Sequence, residues 1–423
     1  MTRSSRSSRA LAATSVSALA LLALTACGGA DSKDVSGDVA AQAPVAGAAQ
    51  VAVTMSSGAD GDECTVDTTS VPAGPVTFTV KNEGATGINE FEVMAADQDD
   101  QDDQDGKVLG EKENVVPGLA AATLTLTLDG GTYRLYCPGA TTEKTDLEVT
   151  GTADASGPAA GSTAALLHRG AEKYAGYVST QLDGMVGKVK ALQAAIAGGD
   201  VPAAQKAYAD ARHPYELVES DIEGFVLPGT APTDNTGNLD YLIDMRASSL
   251  DPEVGWTGFH AIERDLFARG TITPTTRKYA VGLVKNVTTL AGIARKLTFK
   301  PEDLANGAAG LLEEVQSNKI TGEEESFAHT DLADFADNVG GARQAFVALR
   351  PGLAKLDSSL VVTIDKRFAA VEALLKGYED PAQVGGYVLW TPALRTKDAH
   401  HVSQTVQALA DALSGLAEKV ATA

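Results

Sequence analysis

The period of the hydrophobic pattern changes once along this chain, and that change constrains the architecture more than any figure of composition. From Val51 the runs QVAVTM, GPVTFTVKN, GINEFEVM, ATLTLTLDGGTYRLYC and TDLEVTG alternate apolar with polar residues, are rich in Val, Thr, Phe and Tyr, and are separated by Gly, Pro and Asp. Five or more such strands within about 100 residues make a β-sandwich. After the stretch GTADASGPAAGST the pattern is helical. YVSTQLDGMVGKVKALQAAI sets Val178, Leu182, Met185, Val189, Leu192 and Ile196 on one stripe, and near the C-terminus Val402, Val406, Leu409, Leu413 and Leu416 form another. A chain of 423 residues exceeds one ordinary core. The expected organisation is multidomain, an all-β sandwich over residues 50–151, a linker over 152–163 and an all-α bundle over 164–423.

Ahead of these lies an export signal. Arg3, Arg6 and Arg9 precede an apolar run from Ala10 to Leu24, which is shorter than the span of about 20 residues that crosses a bilayer. The arginines are not adjacent, which points to the general secretory route rather than a twin-arginine one. Leu24, Thr25, Ala26 and Cys27 resemble a bacterial lipobox, so residues 1–27 read as a signal peptide and Cys27 as the lipidated first residue of the mature chain. Residues 28–49, rich in Gly, Ala, Ser and Asp, read as a flexible tether. The expected location is outside the cytoplasmic membrane and lipid-anchored to it, in the periplasmic space or on the cell-wall side. With 56 acidic against 34 basic residues the surface repels nucleic acid and attracts cations or basic partners.

The residues that could carry chemistry are acidic. In GWTGFHAIERDLF, His260 and Glu263 stand three apart on a short helix, so they project from one face and suit two ligands of one metal ion. Arg264 stands where a second histidine would complete the HExxH metalloprotease motif. Glu216 and Glu219 repeat the spacing in a helix interrupted at Pro214, and the loop-like NLDYLIDMR offers Asp240 and Asp244. Such acids around one imidazole make a site for a hard or borderline cation such as iron. GEEESFAHTDLADF gathers Glu323, Glu324, Glu325, His329 and Asp331, of which the three glutamates read as a solvated helix start. In the sandwich, Cys64 and Cys137 form either a disulfide or, with Glu63, Glu90 and Glu92 nearby, part of a metal site. All six histidines lie at position 168 or beyond, which rules out a blue-copper centre there. The acidic run AADQDDQDDQDGK, residues 95–107, reads as a polar loop insertion.

Taken together, GFHAIE preceded by IDMR and PYELVE and followed by KITGEEESFAHTDLADF resembles the imelysin-like helical domain, and ECTVDTTSVPAGPVTFTVKNEG, NEFEV, GEKENVVPGL and YRLYC resemble a cupredoxin-like domain. In this order behind an export signal they resemble the EfeO family of EfeUOB-type iron-uptake systems. The resemblance implies an iron-binding role with His260 and Glu263 in the family's HxxE motif and Glu216 and Glu219 as partners. It implies a second metal site lined by Cys64, Glu90 and Cys137. It further implies iron as Fe(II) or Fe(III), an iron permease and a haem peroxidase-like component as partners, and no enzymatic step. A zinc-dependent, peptidase-like hydrolase and a copper-assisted oxidation of Fe(II) in the β domain are the alternative readings, with zinc also a substitute for iron.

Overall fold

The computed structural model describes residues 47–95, 108–153, 159, 161–222, 224–231 and 234–423. The export signal, Cys27, nearly all of the tether, half of the linker and nearly all of the acidic run at 95–107 lie outside the described residues.

Alternation produces nine strands among the described residues: β1 (Ala49–Ser57), β2 (Asp62–Val66), β3 (Ser70–Pro72), β4 (Gly74–Asn82), β5 (Phe91–Ala95), β6 (Val108–Lys112), β7 (Ala122–Leu128), β8 (Gly131–Tyr136) and β9 (Lys144–Thr150). They form a four-stranded sheet in the order β2-β1-β4-β7 and a five-stranded sheet in the order β3-β9-β8-β5-β6. The pairs β1–β4 and β3–β9 are parallel and the others antiparallel. Every second residue turns inward, so Val51, Val53, Val76, Phe78 and Val80 of one sheet meet Phe91, Val93, Leu135 and Leu147 of the other. The buried amide of Asn82 donates to the carbonyls of Ile88 at 3.0 Å and Val115 at 2.7 Å. Those two bonds fix the segment that delivers Glu90 and the segment that follows Glu111 and Glu113.

The rest is helical: α1 (Thr163–Gly198), α2 (Val201–Glu216), α3 (Leu239–Asp244), α4 (Gly258–Glu263), α5 (Pro274–Ala294), α6 (Pro301–Glu314), α7 (Asp331–Leu356), α8 (Ser358–Lys376), α9 (Pro392–Leu413) and α10 (Leu416–Ala421). Both expected stripes are buried, the second running from α9 into α10 at Leu416. The first helix, capped by Ser162, packs against α2, α5 and α7. Its chain reverses at Gly199, whose φ of 76° is the left-handed turn that glycine takes without steric cost. NLDYLIDMR is a short helix over Leu239–Asp244 rather than a loop, because the Asn238 side chain accepts from the Tyr241 amide at 3.2 Å and Leu239 and Ile243 are buried. No helix among the described residues is long and apolar enough to cross a membrane.

The sandwich is joined to the bundle by polar contacts. The Asn306 side chain on α6 donates to the Thr125 carbonyl at 2.7 Å, and Lys112 sits 2.9 Å from both carboxylate oxygens of Glu313. These contacts bring the edge strand β6 toward the acidic interior of the bundle.

Candidate metal centre

Five chain segments meet around a group of buried acids. The last turn of α2 supplies Arg212 and Glu216, and a 3-10 turn over Glu219–Asp221 supplies Glu219. Asp244 is the last residue of α3, and His260 and Glu263 belong to α4. Glu324 and Glu325 come from the segment between a π-turn at Val315–Lys319 and α7. The start of α4 lies against the end of α3 because residue 258 is glycine: a Cβ there would stand 2.1 Å from the Ile243 carbonyl oxygen, and φ is +66°. That close approach brings His260 to Asp244.

Ligand-capable atoms converge in three overlapping groups, Asp244–His260–Glu324, His260–Glu263–Glu325 and Glu216–Glu219–Asp244–Glu324, each with its atoms within 4.8 Å of one another and all of its residues buried. Asp244 and Glu324 belong to two of the three. His260 Nδ1 donates to Glu263 Oε2 at 2.8 Å, since a carboxylate can only accept. The other oxygen of Glu263 accepts from the Phe327 and Ala328 amides at 2.8 and 2.7 Å. Glu263 therefore sets the imidazole tautomer and pins the segment carrying Glu324. This leaves Nε2 facing Asp244 and Glu324, 3.5 Å from each. A histidine oriented through its second nitrogen by a carboxylate is the arrangement that presents a ligand to a metal.

Three internal cations balance this acid. Arg212 contacts Glu216, Asp244, Glu324, Glu325 and Asp334 and lies over the Phe259 ring. Lys319 faces Glu216, Glu219 and Glu324, and Arg246 faces Glu314 and Glu324. Burial alone would raise the pKa of every acid here. Arg212 and His260 nevertheless hold Asp244 below the usual carboxylate range, and Lys319, Arg246, His260 and Arg212 hold Glu324 well below it. Glu219 goes well above it, because burial outweighs Lys319, and burial with the nearby Glu263 pushes Glu325 to about 8. His260 is raised well above the ordinary imidazole value: burial opposes this, and Asp244 and Glu263 overcome it.

Glu216, Glu219, Asp244, His260 and Glu263 thus come together, whereas Asp240 is turned aside to accept the Tyr215 hydroxyl. The triple glutamate is not a solvated helix start: Glu324 and Glu325 are buried, because the segment is drawn in by Glu263 and by Asp331 Oδ1, which accepts from the Glu325 amide at 3.1 Å. The pairing cations Arg212, Lys319 and Arg246 escaped the sequence reading altogether. Locally each is only a basic residue beside an apolar neighbour, Ala211, Met245 or Ile320, and that does not identify a partner.

In the sandwich, Cys64 of β2 and Cys137, just after β8, are joined in a disulfide, which removes both thiols from any ligand set. Glu63 belongs to none of the convergent groups among the described residues. Glu90, Glu92 and Glu111 do converge within 4.8 Å, and burial, then Glu90 and Glu111, pushes Glu92 up to about 9.

Residues 170–420 match the family model described as imelysin, peptidase M75. "Iron uptake system component EfeO" of Yersinia pestis is 34% identical over 355 residues, covering 84% of this chain and 88% of that protein. The protein of the same name from Escherichia coli strain K12 is 33% identical over 356 residues, covering 84% and 88%.

Proposed function

We propose, for a chain that belongs to the imelysin family and within it to the EfeO iron-uptake components, that the protein captures iron outside the cytoplasmic membrane and hands it to a membrane permease. On this reading Cys27 carries the lipid anchor, a haem peroxidase-like component is a second partner, and iron is cargo rather than a resident cofactor. The observation that carries it is the buried set Glu216, Glu219, Asp244, His260 and Glu324, with Glu263 orienting the imidazole from behind. Oxygen-rich sites with one nitrogen suit Fe(II) or Fe(III) better than copper, and joining Cys64 to Cys137 leaves the sandwich with carboxylates as its convergent ligands. A hydrolytic zinc site needs an open coordination position and a base, whereas here each acid around His260 already holds a cation or a backbone amide. Binding and release is therefore the better-supported reading than peptidase chemistry.

The test is iron binding by the full mature chain. Fe(II), added without oxygen, should raise the melting temperature of the wild type by mass action. His260→Ala and Glu219→Gln should each lose most of the shift. An undiminished shift in both variants would remove the site from the helical domain.

A further inference from the structure

The ammonium of Lys319 stands where the acids of the Glu216–Glu219–Asp244–Glu324 group converge. Nζ lies 3.2 Å from Glu216 Oε2, 3.4 Å from Glu219 Oε2 and 3.2 Å from Glu324 Oε2, so three of the group's four carboxylates share it. Its side chain is 0% exposed. An ammonium has three N–H donors, and three oxygens from three different side chains surround it much as they would surround a cation of coordination chemistry. A metal ion could not take the same oxygens while Nζ remained between them, because two cations would then share one set of ligands at close range.

Of the three side-chain cations touching this group, Lys319 is the one built to move. Arg246 meets the group only at Glu324, 3.2 Å away, and is held from outside it by Glu314 at 3.1 Å. Arg212 is tied by groups outside it, at 3.0 Å from both Glu325 and Asp334, and lies with its guanidinium carbon 5.4 Å from the centroid of the Phe259 ring. Lys319 carries its charge on a flexible four-carbon stem. It is the last residue of the π-turn Val315–Lys319, closed by the Ile320 amide donating to the Val315 carbonyl at 2.9 Å. A π-turn holds one residue more than an α-turn and is seldom the more stable of the two. Tightening it rotates the residues beyond by about 100°, which would swing Lys319 away. Glu314 Oε2, 4.0 Å from Nζ, is already in place as a fourth partner for the displaced ammonium.

We propose that Lys319 is an internal stand-in for the metal: it fills the cation position of the metal-free protein, leaves toward Glu314 when iron enters, and returns when iron is released. The inference rests on the iron-binding reading above. It gives that reading a means of letting go, because a site whose competent state is only partly populated binds more weakly by that fraction.

The decisive comparison is Fe(II) affinity, measured without oxygen on the full mature chain, in the wild type and in Lys319→Met. The methionine keeps the length of the stem and removes the charge. Affinity should rise about tenfold or more in the variant. Equal or weaker binding overturns the proposal while leaving the iron site standing. A wild type that does not bind Fe(II) sinks both. As a second measurement that does not depend on how the variant folds, wild-type protein with and without Fe(II) can be treated with acetic anhydride and Lys319 acetylation read by peptide mass spectrometry. Loading should raise it severalfold, and unchanged or lower labelling also overturns the displacement.

Discussion

The helical domain holds the two acids facing His260 Nε2, Asp244 and Glu324, with cations, whereas the sandwich holds Glu90 and Glu92 with protons. Around His260, Arg212, Lys319 and Arg246 face the carboxylates directly, and Asp244 and Glu324 stay ionised. In the Glu90–Glu92–Glu111 group burial comes first among the causes: it raises Glu90 against a hydrogen bond from Glu92 that lowers it, and with Glu90 and Glu111 it takes Glu92 to about 9. The difference shows what an incoming metal must displace. In the bundle it competes with side-chain cations held by long-range packing, and in the sandwich with a proton. It also separates the two domains in what holds them together, since the sandwich adds the Cys64–Cys137 disulfide.

The harshest way to break this contrast is to remove the central cation of the bundle. Arg212→Leu leaves Glu216, Asp244, Glu324, Glu325 and Asp334 without their shared partner, and stripping one side of a buried charge network costs about 3–5 kcal/mol. Urea unfolding followed by tryptophan fluorescence reports it cleanly, because Trp256 and Trp390 both lie in the helical part. A loss below 1 kcal/mol near neutral pH would mean that Asp244 and Glu324, like the acids of the sandwich, are held by protons. The sign with pH follows from the depressed acids. Asp244 and Glu324 contribute stability that is fully present above the unfolded carboxylate values near pH 4, and it is lost as pH falls through their lower folded values.

A smaller effect is expected from the covalent tie. Replacing Cys64 and Cys137 together with Ser opens a link between positions 73 residues apart and should cost the sandwich about 2–4 kcal/mol. Hydrogen exchange should show faster opening of the β1 and β4 amides, while iron-dependent stabilisation of the bundle stays as in the wild type. If iron binding fell as well, the domains would be coupled more tightly than separate glues allow.

What could be read from the sequence follows the range of the interactions. The stripes of the first and ninth helices and the alternation of β1, β4 and β7 depend on neighbours a few residues away, so periodicity exposes them. His260 and Glu263 were visible for the same reason, as one turn of one helix. Glu216 and Glu219 share that spacing, but α2 ends between them and a 3-10 turn does the aiming. Glu324 was misread because its burial is decided elsewhere: two backbone amides beyond it bind Glu263, more than 60 residues back in the chain. Likewise Lys319 meets Glu216 and Glu219 across about 100 residues, and no local pattern announces such a pairing. The cysteines could be counted but not paired with certainty, since a disulfide and a thiolate site use the same two residues.

The smallest and most pointed effect concerns Glu92, whose side chain has Glu90 and Glu111 as acidic neighbours and Lys144 as a weaker opposing charge. Its folded pKa of about 9 lies above the ordinary glutamate value of 4.5. Between those two values the folded chain keeps a proton that the unfolded chain gives up, so stability falls as pH rises through this window and levels off above it. Glu92→Gln cannot ionise and escapes the penalty. At pH 7–8 it should therefore be more stable than the wild type, by on the order of 2 kcal/mol, with the advantage fading to nothing near pH 4. Hydrogen exchange of the β5 and β8 amides across that range measures the difference directly. The contrast with the bundle predicts the opposite sign for Glu324→Gln, which removes an acid that is ionised and paired, and which should destabilise at neutral pH. Were both substitutions to shift stability in the same direction, the distinction between acids held by protons and acids held by cations would not survive.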